Sequence, residues 1–169
     1  GHSTRFLAQA AVDGGLATDI LCIDPAPRAP IDALPVRHVA SLLRDADPAI
    51  VASLRAGDVL FIDSSHIAMP GTDVDRLFLD VLPRLPAGVL VHVHDIFLPD
   101  PYPPEWAWRG YNEQLLVAAL LGGGRYELVW SSRWVTMRRP ELVPRRLLGP
   151  ALPPGAYESS LWLKVLHGN

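Results

Sequence analysis

Leu60-Phe61-Ile62-Asp63-Ser64-Ser65-His66 and Val89-Leu90-Val91-His92-Val93-His94-Asp95 decide how this chain is read. Each is a run of β-branched and large apolar residues that stops at groups able to bind a metal or move a proton. Near-continuous apolar runs of this length suit strands buried on both faces, as in a parallel sheet. In an open parallel sheet, ligands bind outside the carboxyl ends of the strands, and both acidic-histidine clusters fall at such ends. Three of the six histidines lie in these two segments, so they are not scattered over the surface.

Outward from these runs, strand and helix signals alternate. Between them, Val74, Leu77, Phe78, Val81, Leu82 and Leu85 follow helical spacing, and Thr72 with Asp75 resembles a capping box, which predicts a helix over 73–85. Upstream, 3–12 reads as a helix capped by Ser3 and stopped by Gly14-Gly15, with Phe6, Leu7 and Ala10 on one face. A strand over 19–23 ends at Asp24-Pro25, a weaker strand is expected over 36–42, and a short helix over 48–54. Downstream, a proline-rich loop over 99–104 leads to a helix with Asn112 as cap and Gly122 as stop. Strands over 126–131 and 161–166 follow, separated by a Pro/Arg-rich connection whose length suggests an antiparallel strand at the sheet edge. The alternation predicts the α/β class, with a mostly parallel sheet covered by helices, and residues 1–169 read as a single domain.

Composition narrows the function classes. Hydrophobic residues make up 49% and charged residues 20%, ordinary for a globular domain. A net charge of −3 without a Lys/Arg stripe gives no reason to expect nucleic acid. No apolar run approaches the roughly 18 residues of a membrane span, so a membrane is not expected as a partner. The single cysteine, Cys22, reads as a small core residue in a reducing compartment, and the cytoplasm is the expected location.

The chemistry concentrates at the strand ends. Asp63 could bind a divalent cation, and His66 could act as a base because an unperturbed histidine titrates near neutrality. His94 and Asp95 end the neighbouring run and are expected to face Asp63. His92 shares a strand face with His94 but lies deeper, as a satisfied core histidine. Gly1-His2-Ser3 opens a helix, and Asp24 ends the next strand. Their separation is close to the roughly 20 residues at which an acidic residue meets the ribose of a nucleotide on a glycine-rich turn. Asp24, Asp63 and Asp95 are therefore expected at one edge of one sheet. The loop Pro101-Tyr102-Pro103-Pro104-Glu105-Trp106-Ala107-Trp108 offers aromatic walls for a flat or sugar-like acceptor, or packs on the core; both readings stand.

Gly1-His2-Ser3-Thr4-Arg5-Phe6, Cys22-Ile23-Asp24-Pro25, Phe61-Ile62-Asp63-Ser64-Ser65-His66, His94-Asp95-Ile96-Phe97 and Asn112-Glu113-Gln114 occur in that order. Together they resemble the class I methyltransferases that use S-adenosylmethionine, in particular a methyltransferase-24-like family of bacterial enzymes. The resemblance implies a Rossmann-like three-layer sandwich with an antiparallel last strand and the cofactor over the first strands. It implies that Gly1 closes the glycine-rich turn beside His2 and Ser3, that Asp24 binds the ribose, and that Asp63 and Ser64 belong to the cofactor site. It also places Asp63 where related O-methyltransferases keep a magnesium ligand, and His66 where catechol-type enzymes keep a lysine base. His94-Asp95 stands where those relatives have acidic or amide ligands. As a metal set, Asp63, His94 and Asp95 would favour zinc, iron or manganese over magnesium, because nitrogen ligands suit those ions. On this template the family's first strand is missing, so the domain reads as N-terminally truncated.

The expected function is O-methylation of a small hydroxylated acceptor, a sugar or secondary metabolite, with Asp63, His66 and His94 as catalytic candidates. The partner is then a small molecule, and a homo-oligomer is compatible with the sequence. Two alternatives stay open: a metal-dependent hydrolase built on Asp63, His66, His92, His94 and Asp95, and a non-catalytic methyltransferase-like binding domain.

Overall fold

The computed structural model describes residues 1–145 and 152–168, which group into two units, Gly1–Ile50 and Val51–Asn169. In the first unit, α1 (His2–Asp13) is followed by two short parallel strands, β1 (Leu21–Ile23) and β2 (Arg37–Val39). The prolines at 25, 27, 30 and 35 crowd the segment between them, and neither strand reaches its expected length. α1 starts at Gly1 as N-cap without a side-chain cap, so Ser3 lies inside the helix instead of capping it. Its buried face is Thr4 and Ala8, whereas Phe6 is 79% exposed. Small residues win here because they allow close approach: Thr4 Oγ1 lies 3.6 Å from Cys22 Sγ on β1. Gly1 is required for a similar reason, since a Cβ there would lie 2.6 Å from Ala29 N. α2 (Pro48–Ala52) leads into the second unit.

The second unit contains β3 (Val59–Ile62), α3 (Asp73–Arg76), β4 (Leu90–Val93), α4 (Glu113–Gly122), β5 (Tyr126–Ser131), α5 (Ser132–Arg138) and β6 (Leu161–Val165). Its sheet has the order β3-β4-β6-β5. β3 and β4 pair in parallel, while β6 runs antiparallel to both β4 and β5. The last strand is thus antiparallel as expected, but it lies inside the sheet and β5 forms the edge. β4 is buried on both faces, which is why its sequence is nearly continuous apolar; β6 alternates buried Leu161, Leu163 and Val165 with Trp162 and Lys164.

The helix expected over 73–85 begins as predicted, with Thr72 Oγ1 accepting from Asp75 N at 3.2 Å. It then continues as a π-helical turn, Leu77–Val81, and a 3₁₀ turn, Leu82–Arg84. Pro83 lacks the N–H that the α-helical ladder needs at that point, so the register changes. Val74, Leu77, Val81, Leu82 and Leu85 are nevertheless all buried, as their spacing implies. α5 follows β5 directly and is not among the expected helices; Ser131 caps it by accepting from Trp134 N at 3.4 Å. Among the described residues, no helix is long and apolar enough to cross a membrane. The fold class is α/β and Rossmann-like.

Candidate active site

Parallel pairing puts the ends of β3 and β4 level, with Ile62 opposite Val93. One further ladder bond, His94 N to Ile62 O at 2.9 Å, extends the pairing to the first residue past β4. Beyond that step both chains turn sharply: His66 has φ +59° and Asp95 φ +54°. Left-handed backbone is uncommon for a residue with a Cβ and has to be held by its surroundings. At His66 the holding partner is the N-terminus of α4. The His66 carbonyl accepts from Asn112 N (3.0 Å) and Glu113 N (3.2 Å), and Ala68 N donates to Asn112 Oδ1 at 2.6 Å. Asn112 therefore does not cap α4 with its side chain; it ties down the loop after β3.

The His66 ring is the centre of a carboxylate cluster. Nδ1 donates to Glu113 Oε2 at 2.8 Å, while Nε2 lies 3.7 Å from Asp63 Oδ1 and 3.8 Å from Asp95 Oδ2. His66 is only 4% exposed and Glu113 fully buried, whereas Asp63 is 49% and Asp95 14% exposed. Burial by itself would lower the imidazole pKa, but hydrogen bonding to Asp63 and Glu113 and the charges of Glu113 and Asp95 outweigh it and raise it to about 9. His66 is thus a cation at neutral pH, not the half-titrated base its identity suggests. Ser64 Oγ is 3.0 Å from both Glu113 carboxylate oxygens and accepts from His66 N at 3.0 Å. Ser159 Oγ donates to Asp95 Oδ1 at 2.9 Å, and the Tyr111 ring lies 4.5 Å from that of His66.

His94 adjoins this cluster at Asp95, with Nε2 3.6 Å from Asp95 Oδ1. His92 is buried as expected, but it is not satisfied: among the described residues neither ring nitrogen has a hydrogen-bond partner. It is held instead as an aromatic, stacked on Phe61 at 4.0 Å and edge-on to Trp162 at 4.8 Å. Burial, with the His94 charge adding to it, lowers its pKa to about 4, so it stays neutral.

Asp63 and Asp95 share one sheet edge, but Asp24 follows β1 in the separate two-stranded ladder, which corrects the expectation that all three lie on one sheet. In the first unit, Asp24 is partly exposed and its Oδ1 accepts from Ala26 N at 2.9 Å; the Gly1 nitrogen is 3.9 Å from its Oδ2. His2 is exposed and Ser3 half-buried. Among the described residues, no group of three or more His, Cys, Asp or Glu is arranged to hold a metal. Neither Asp63, His94, Asp95 nor Asp63, His66, His92, His94, Asp95 forms such a group. The His92 nitrogens are enclosed in the stack with Phe61 and Trp162.

Of the aromatic loop, Tyr102 and Trp106 pack edge-on against the buried Phe97, at 5.7 and 5.2 Å. Trp108 is 81% exposed, and the Arg109 guanidinium lies 4.0 Å over the Trp106 ring. Core packing thus accounts for Tyr102 and Trp106. Glu113, Tyr111 and Ser159 join the site from outside the strand-end motifs. Glu113 carried a signal, a carboxylate at the first position of a helix following a conspicuous Asn; Ser159 carried none.

A family model described as a methyltransferase domain matches residues 1–96. No curated protein and no solved structure matches the chain. The matched residues include β3, β4 and the strand-end groups Asp63, His66, His94 and Asp95. With more than half of its residues matched, the chain belongs to the methyltransferase-domain family.

Proposed function

We propose that the protein is an S-adenosylmethionine-dependent methyltransferase acting on a hydroxyl of a small acceptor, such as a sugar or secondary metabolite. One observation carries the choice of oxygen as the methylated atom. An imidazole, tied through Nδ1 to a buried carboxylate, presents Nε2 between two further carboxylates at adjacent strand ends. A hydroxyl needs its proton removed as it becomes a nucleophile, and a tied histidine is suited to take it. When bound, S-adenosylmethionine supplies an activated methyl group. On Nε2, the neutral fraction of His66 would accept the proton of the acceptor hydroxyl. Asp63, Asp95 and Glu113 then favour the imidazolium that forms. His94 beside Asp95 is the second candidate for the proton.

For the cofactor, the support comes from the first unit. Asp24 offers a partly exposed carboxylate to ribose hydroxyls, and Gly1 admits no side chain. Asp24→Ala is expected to weaken S-adenosylmethionine binding by roughly 1.5–3 kcal/mol, the range for hydrogen bonds to a charged group. Calorimetric titration checks this, and unchanged affinity would remove Asp24 from the site. The function itself is tested by offering methyl-labelled S-adenosylmethionine with a panel of sugars, phenols and hydroxylated natural products. Label should enter an ether oxygen of one acceptor class. Transfer to nitrogen or carbon would refute O-methylation, and failure to bind the cofactor would refute the whole reading.

A further inference from the structure

We propose that Glu113 is the positioning residue of this site: with the Ser64 hydroxyl, its carboxylate fixes the His66 ring so that Nδ1 keeps its hydrogen and Nε2 is presented at the strand ends. Glu113 lies outside residues 1–96, so the family match assigns it no role.

Glu113 is fully buried, and a carboxylate removed from water persists only with partners. Its partners all belong to the proton-handling loop. His66 Nδ1 donates at 2.8 Å, and the Ser64 hydroxyl, 3.0 Å from both oxygens, serves one of them at a time. The same Ser64 oxygen accepts from the His66 backbone N–H, so ring and backbone are held through one hydroxyl. The His66 carbonyl accepts from the backbone N–H of Asn112 and of Glu113 itself. The residue that fixes the ring therefore also pins the left-handed backbone from which the ring projects. Helix geometry favours the arrangement, because the first turn of α4 provides spare N–H donors and a partial positive charge beside the carboxylate. Being enclosed, Glu113 acts through His66. Without it the ring would lose its shortest polar contact, since Nδ1–Glu113 is 2.8 Å while Nε2 is 3.7 Å from Asp63 and 3.8 Å from Asp95.

The first arm of the test does not depend on the methyltransferase reading. In the nitrogen-15-labelled 169-residue chain, the wild type should show a far-downfield, slowly exchanging proton coupled to Nδ1 of His66. In Glu113→Gln, which keeps the shape but removes the charge, that proton should move upfield and exchange faster. The second arm rests on the proposed reaction: kcat of Glu113→Gln should fall by about 10²-fold or more, with the KM of both substrates held. A proton signal unchanged in position and exchange rate overturns the proposal, and so does an unchanged kcat. Should Glu113→Gln fail to fold, Ser64→Ala replaces it: the same upfield movement supports the proposal, and an unaltered signal overturns it. If the wild type transfers no methyl group to any acceptor, the functional reading falls while the resonance experiment still decides the role of Glu113.

Discussion

His66→Ala is expected to lower turnover about 10²–10⁴-fold while leaving cofactor affinity nearly intact, because in the proposed reaction the lost group would act on the acceptor hydroxyl and not on the adenosyl portion. The pH profile carries the sharper information. Surrounded by Asp63, Asp95 and Glu113, His66 has its pKa raised to about 9, so only a small fraction is neutral at pH 7. Wild-type turnover should therefore climb with pH and level off near 9, well above the ordinary histidine value of 6.5. His66→Ala should abolish that limb. If His94 carries the proton instead, the limb survives in His66→Ala and disappears in His94→Ala. Should both variants keep their turnover, the proton goes elsewhere, and Asp63 and Asp95 are the next residues to replace. Stability should run the other way. A group whose folded-state pKa lies above its unfolded value stabilises fully below about 6.5, and that contribution is lost as the pH rises through about 9. The enzyme is then expected to be most active where this contribution is weakest.

Acid should act through a different histidine. His92 stays neutral in the folded chain because its pKa is lowered to about 4, whereas an unfolded chain takes up a proton below about 6.5. Between those values the unfolded state binds more protons, so stability falls as the pH falls, by about 3 kcal/mol over the whole window. His66 adds no slope in the lower part of that window, being charged in both states. His92→Phe should keep the stack with Phe61 and Trp162 and flatten the acid dependence. It should also leave neutral-pH stability equal or higher, because two unpartnered nitrogens are removed. Urea unfolding from pH 4 to pH 7 measures this. Parallel curves for wild type and variant would assign the acid sensitivity to other groups.

These expectations also mark what the sequence could disclose. β3 and β4 were readable because each is an apolar run ending in polar groups, and parallel pairing does level their ends. The capping of α3 by Thr72 was equally local. What could not be read depends on distance along the chain. The His66 pKa is set by carboxylates at positions 63, 95 and 113, and only the first is a near neighbour. Asn112 has the identity of a cap, yet its side chain serves Ala68. On α1, hydrophobicity pointed to Phe6 and Leu7, but close packing on β1 selected Thr4 and Ala8. Asp24 follows a strand of the two-stranded ladder, whereas Asp63 and Asp95 follow strands of the four-stranded sheet.

The position of β6 has a consequence for how the protein is made. β4 and β5 do not pair with each other; Leu161–Val165 lies between them and bonds to both. During synthesis, β3, α3, β4, α4 and β5 all emerge before the strand that joins them. Until it arrives, one side of β4 and one of β5 carry unpaired N–H and C=O groups, a template for pairing with other chains. Asp95 lacks the Ser159 hydroxyl over the same interval. Nascent chains stalled before residue 161 should therefore depend most on chaperones, and the site at the strand ends should be finished only when translation has passed β6.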